Sequence, residues 1–193
     1  MARKYTLNRR AERLDETRHR IVEAAVHLHG TIGPARTQVS AIAERAGVER
    51  ATVYRHFPDQ ASLFAACSGH FLAEHPPPDD AWTRIADPEV KLRAGLAALY
   101  DYYAQNEHMI ANVLRDAQAV AVGTGFLTLQ RKSAAALATG WGLRGRRKAQ
   151  LDAVLELAAE FHTWQVLVRR RGLTQQAAID LAATLAACIR TGE

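Results

Sequence analysis

Residues 39–57 read VSAIAERAGVERATVYRHF, and this stretch decides the fold. Two short helices that cross steeply need a small residue where their backbones meet, and Ala43 supplies it. The turn between them needs a residue at ease with positive φ, which Gly47 provides. Ile42, Ala46, Val48 and Val53 fall at the offsets that pin one helix against the other. The spacing predicts helices over about 38–46 and 49–56 in a helix-turn-helix, a motif whose second helix enters the major groove of DNA. An αα-hairpin with no role on nucleic acid shares the same glycine and apolar spacing.

Outward from this stretch, nearly every segment reads as helix. Runs of β-branched residues with period-two alternation are missing, and alanine, leucine, arginine and glutamate dominate. Upstream, Ile21, Ala25, Leu28 and Ile32 recur at helical spacing and predict a helix over about 15–31, ended by Gly30 and Gly33-Pro34. Residues 1–14 are polar and basic and read as an arm. Downstream, Asp59 is an N-cap for a helix reaching His75, and Pro76-Pro77-Pro78-Asp79-Asp80 is a linker. Asp87-Pro88-Glu89 supplies a cap, an N1 proline and a first-turn acid for the next helix, with Leu92, Leu96, Leu99 and Tyr103 on its apolar face. Further helices are expected over about 107–121, 126–139 (after Gly123 and Gly125), 146–171 (ended by Gly172) and 175–190 (capped by Thr174). The fold class is all-α, with a three-helix head over 15–75 and a helical body over 80–193.

The charge is uneven. The chain of 193 residues has a formal net charge of +5, and residues 1–60 hold eleven Lys/Arg against seven Asp/Glu, so most of the positive field lies on the N-terminal third. That suits a polyanion partner or a merely solvated basic face. Two cysteines, Cys67 and Cys188, stand far apart among apolar residues and read as buried thiols; no disulfide framework or zinc site follows. No apolar run is long enough to suggest a membrane span and no signal-peptide pattern opens the chain, so the expected location is the cytoplasm.

The residues around the second short helix narrow the choice. Ala51-Thr52-Val53-Tyr54-Arg55-His56-Phe57, then Pro58-Asp59-Gln60 and Leu63, preceded by Gly33, Thr37, Val39, Ile42-Ala43 and Ala46-Gly47-Val48, strongly resemble the TetR (tetracycline-repressor) family of bacterial transcription regulators. The resemblance covers about residues 15–65. It implies a DNA-binding head on a helical body that dimerises and holds a ligand. Carried over position by position, it puts Tyr54 and His56 on backbone phosphates, has Thr37 cap the first short helix and approach a phosphate, and counts Gln38 and Gln60 among the DNA-binding residues. It lays Thr52 on the groove face, with Glu49, Arg50 and Arg55 as candidates for reading bases. Arg50 is the leading one, because arginine donates two hydrogen bonds to guanine O6 and N7. Phe57 is expected in the core. Where the family usually has a phosphate-contacting lysine, this chain has Gln60, which removes one counterion-releasing contact.

For the body, the resemblance implies a homodimer through the last two helices and a cavity for a small-molecule effector. Leu151, Val154, Leu155, Ala158, Phe161, His162, Gln165 and Val168 share one side of the predicted long helix, and Ala178, Leu181, Ala182, Leu185 and Ile189 line the last one. The same stripes would equally build an intrachain core. Tyr103, Met109, Phe126, Phe161 and Trp164 are candidate lining residues, with Asp116, Gln118 and His162 as polar contacts. Arg144, Arg146, Arg147 and Lys148, and the triplet Arg169-Arg170-Arg171, read as solvated. No cofactor or metal is expected. HExxH, GxSxG and phosphate-loop motifs are missing, which argues against an enzyme. The expected partner is double-stranded DNA bearing a palindromic operator, with repression relieved by ligand. The alternative is a helical protein-interaction module that has lost DNA binding.

Overall fold

The computed structural model describes residues 2–120 and 124–192, the side chains of 2–10 and of Thr124 apart. Among these residues there are ten α-helices and no strand: α1 (Ala2–Thr31), α2 (Val39–Ala46), α3 (Arg50–His56), α4 (Gln60–Glu74), α5 (Pro88–Gln105), α6 (Glu107–Val120), α7 (Thr124–Leu137), α8 (Gly145–Ala159), α9 (Phe161–Trp164) and α10 (Gln175–Thr191). Short 3-10 turns cover Pro34–Arg36 and Ala81–Arg84, the second just after the linker expected over Pro76–Asp80. Residues 2–14, expected as an arm, continue α1 without a break. Gly123 and the end of the helix expected over 107–121 lie outside the described residues.

The chain forms two compact units, Met1–Pro76 with His108–Val122, and Pro77–Glu107 with Gly123–Glu193. The first departs from the sequence expectation by one helix, because α6 belongs with the head. Its polar side chains explain why. Asn112 donates from Nδ2 to the carbonyls of His29 (3.1 Å) and Gly30 (2.7 Å), and Arg115 donates from its guanidinium to the Ile32 carbonyl (3.0 Å). The Asp116 carboxylate accepts from the Ala35 backbone N–H at 3.0 Å. The last carbonyls of a helix have no partner within it, and here α6 supplies them. Gly33, between the two elements so held, has φ 96°, and Arg115 and Asp116 occupy the space a Cβ would need. Only glycine meets both conditions.

The head core is built from Ile21, Val22, Ala24, Ala25, Ile42, Ala43, Ala46, Val53, Phe57, Leu63 and Cys67. Ile32, expected on the buried face of α1, is instead exposed, because the helix ends at Thr31 and the chain turns away at Gly33. Burial pushes the Cys67 thiol up to about 12, so it stays protonated and inert. Cys188, expected to be buried, is only partly so.

In the second unit α5 is a central strut, with Leu92, Leu96, Leu99, Tyr100 and Tyr103 wholly enclosed. Asp87 caps it as expected, accepting from the N–H groups of Glu89 and Val90, with Pro88 in the first turn. The helix predicted over 146–171 is broken once and then changes its winding. α8 ends at Ala159, Glu160 is extended (φ −76°, ψ 137°), and α9 passes into a π-helical turn over Gln165–Arg170. The break frees carbonyls that side chains then take up: Tyr100 donates its hydroxyl to Ala158 O (3.0 Å), and Tyr103 (2.5 Å) and Gln130 (3.4 Å) donate to Ala159 O. Neither tyrosine advertises such a role at the level of sequence.

Candidate nucleic-acid interface

The turn between α2 and α3 is built as its spacing demands. Gly47 is left-handed at φ 64°, and the Val48 N–H reaches back to Ala43 O at 3.0 Å. Ile42, Ala43, Ala46 and Val53 are buried, which orients α3 with one face inward. The other face is bare. Glu49, Arg50, Tyr54 and Arg55 are exposed, with Tyr54 at 48% of its full accessibility, and Thr52 is half-buried. Arg55 reaches the Thr52 hydroxyl at 3.5 Å. Gln38 and Gln60 are exposed at the starts of α2 and α4. The structure thus places Gln38, Glu49, Arg50, Thr52, Tyr54, Arg55, His56 and Gln60 at the start of α2, on and beside α3, and at the start of α4.

Thr37 has a different task from the one expected. The N-cap of α2 is Gln38, whose side chain makes no capping bond, and the Thr37 hydroxyl donates to Gly33 O at 2.8 Å. It closes the Pro34–Arg36 turn rather than capping α2. Asp59 does cap α4, accepting from the Ser62 N–H at 2.7 Å. That bond holds its carboxyl below the ordinary range. Phe57 is core, and the Arg18 guanidinium lies over its ring, 4.8 Å from the centroid. A cation on α1 shows no local sequence signal that it will stack on a ring 39 positions away.

His56 is a poised group. Its Nε2 is enclosed without a hydrogen-bond partner. Burial, and then the charges of Arg55 and Arg18, lower its pKa below the usual histidine value, so it is neutral at pH 7. An arriving phosphate would act in the opposite sense.

Three comparisons bear on this surface. The family described as "Bacterial regulatory proteins, tetR family" matches residues 21–67, the span from the start of the head core to Cys67. Over this segment the chain is similar to the tetR family. It is 43% identical over 60 residues to the HTH-type transcriptional regulator TtgR of Pseudomonas putida, and equally to the probable HTH-type transcriptional regulator ArpR of the same species. Each match covers 31% of this chain and 29% of the curated relative. A solved structure of a TetR-like transcriptional regulator from Rhodococcus sp. RHA1 shares the all-α fold, with a TM-score of 0.60 and 21% identity, over 92% of this chain and 97% of that one.

Outside the turn and its flanking helices, the remaining candidates divide between the two units. Met109 and Asp116 belong to the same unit as the head. There the Asp116 carboxylate is already engaged by Arg115 (2.8 Å) and by Ala35, and both partners hold its pKa down. Of the polar candidates, Gln118 and His162 are exposed. Tyr103, Phe126, Phe161 and Trp164, in the other unit, are brought together: Tyr103 lies 5.9 Å from Phe126, 5.6 Å from Phe161 and 6.0 Å from Trp164 between ring centroids. The basic residues expected to be solvated are partly engaged, since Arg169 pairs with Glu107 at 2.8 Å and Lys148 with Asp152 at 2.6 Å. No cluster of His, Cys, Asp and Glu suited to a metal ion occurs among the described residues, and none of the described helices is long and apolar enough to cross a membrane.

Proposed function

We propose that the chain is a DNA-binding transcription regulator that acts as a homodimer and leaves a palindromic operator when a small molecule occupies its body. The observation that carries the reading is the two-faced α3: Val53 anchors it from within while Arg50, Tyr54 and Arg55 project outward, free of ion pairs among the described residues. Tyr54 and His56 contact phosphates and fix the register, and Arg50 reads a base edge.

The partner that completes the reader is a second copy. The stripe on α10 divides between two tasks. Ala178, Ala182, Ala183 and Ala186 are buried within the chain, whereas Leu181 and Leu185 are 42% and 46% exposed, and Leu157 on α8 is 56% exposed. Leucines left bare on the last two long helices suit a bundle between subunits. A two-fold dimer would set two α3 helices about 34–36 Å apart, one turn of DNA. Repression relieved by ligand in the cytoplasm completes the proposal.

Footprinting the purified chain on the DNA beside its own gene tests it. A protected palindrome with half-sites one turn apart is expected, lost in Tyr54→Ala with the fold intact. If the protein protects no genomic fragment at moderate salt, yet captures a protein partner through α3, the chain is an interaction module and the proposal is wrong.

A further inference from the structure

The indole of Trp164 is wholly enclosed, and its Nε1–H meets no acceptor. A buried donor left unpaired costs about 1–3 kcal/mol, so native proteins seldom keep one without a use for it. Its setting is equally unusual. Trp164 ends α9 at the point where the backbone passes into the π-helical turn over Gln165–Arg170, and such turns concentrate where helices serve binding. Ala159 O, freed by the break before α9, already takes hydrogens from Tyr103 and Gln130.

Aromatic rings surround the orphan group. Phe161 lies 5.5 Å from Trp164 and Tyr103 lies 6.0 Å away. Phe126, half-buried on the first turn of α7, closes the outer side against Tyr103 and Phe161. Among the described buried residues of this unit the one charged side chain is Lys91, which donates to the Thr139 hydroxyl. It is about three turns of α5 from Tyr103. Arg169 lies over the Trp164 ring at 4.8 Å, but its charge is met by Glu107. The charge of Glu160 is felt by Tyr103, but that carboxylate stands exposed at the start of α9, so an ionised ligand would find no buried counter-charge within the cluster, and burying an unpaired charge is far more costly than burying a neutral group.

We infer that the effector is an uncharged aromatic molecule with one hydrogen-bond-accepting oxygen, which displaces Phe126 outward, stacks among Tyr103, Phe161 and Trp164, and takes the Trp164 indole hydrogen. This rests on the ligand-responsive reading above and adds the chemical class of the ligand. The ring enters an apolar, aromatic wall, and the single donor fixes its orientation.

A matched series of probes tests it on the full chain without DNA: 2-acetylnaphthalene, naphthalene, 2-naphthoate and 2-naphthylmethylammonium. Calorimetry gives affinities, and the nitrogen-15 spectrum of the three tryptophan indoles reports on each N–H. Trp164→Phe assigns the Trp164 signal; should that variant unfold, Trp82→Phe and Trp141→Phe assign it by elimination. The ketone is expected to bind about tenfold tighter than naphthalene, as one recovered hydrogen bond implies. It should move the Trp164 indole signal downfield where naphthalene does not. Both ions should bind weaker than the ketone. In Trp164→Phe the preference for ketone over hydrocarbon should fall to about onefold. The inference is overturned if an ion binds tightest, if the ketone binds with the Trp164 signal unmoved, or if no probe binds up to its solubility. Because DNA is absent, each of those results leaves operator binding standing, and a failed footprint leaves this binding standing.

Discussion

The head and the body spend their polar groups in opposite directions. In the head, α3 turns one apolar face inward and leaves Arg50, Tyr54 and Arg55 bare to solvent. In the body, Tyr100, Tyr103 and Gln130 are turned inward and spent on carbonyls that a broken helix has released, and Trp164 is turned inward with nothing to bond. A surface that meets a polyanion needs donors outside on a rigid frame. A region that takes in a small molecule needs donors inside, against an apolar wall.

The contrast is broken most directly by exchanging the two faces of α3. Val53 is 1% exposed, so Val53→Asp should bury an unpaired carboxylate, cost about 3 kcal/mol or more and abolish DNA binding through unfolding of the head. Its neighbour Tyr54→Ala should leave the unfolding free energy within about 0.5 kcal/mol of the parent. Urea titration of the two variants separates inside from outside.

Acid should strike the head nearly as hard. His29 is buried against Phe64, and burial lowers its pKa to about 4 against the partial opposition of Asp116. The unfolded chain protonates the same group near 6.5 while the folded chain refuses the proton. Stability should therefore fall as pH drops from about 6.5 to about 4, by about 3 kcal/mol across that window, and His29→Gln should flatten the fall. Unfolding midpoints followed against pH give the slope. The body should respond to a smaller chemical change: Tyr103→Phe removes one bond to Ala159 O, leaves Gln130 to satisfy it, and should cost about 1 kcal/mol in thermal unfolding. The least change belongs to the rim of the head, where Gln60→Lys should tighten DNA binding and steepen the salt dependence by about one unit in a titration from low to moderate salt.

Legibility in the sequence followed the range of the interactions. Ala43, Gly47 and Val53 act within a few residues of one another, so their spacing alone specified the turn and the exposed face of α3. The caps at Asp59, Asp87 and Thr174 are local in the same way. The bonds from Asn112 to His29 and from Asp116 to Ala35 span about eighty residues, and periodicity in α6 carried no trace of them. The sequence pattern alone therefore groups α6 with the helices that follow it, whereas its polar side chains tie it to α1 and the Pro34–Arg36 turn. Thr37 departs from expectation for the opposite reason: a threonine before a helix has two local choices of partner, and here the tight Pro34–Arg36 turn wins. The break after Ala159 was invisible because each residue from 146 to 171 favours helix well enough, and the compensating hydroxyls come from α5.

The central claim is that the outer face of α3 lies on a duplex. Fluorescence anisotropy with a footprinted palindrome, comparing the parent chain with Tyr54→Ala and Arg50→Ala, tests it most directly. The account predicts that Tyr54→Ala weakens binding to all sequences alike, while Arg50→Ala weakens the palindrome selectively by about 1–3 kcal/mol and narrows its margin over random DNA. Unchanged affinity for the palindrome in both folded variants would contradict it.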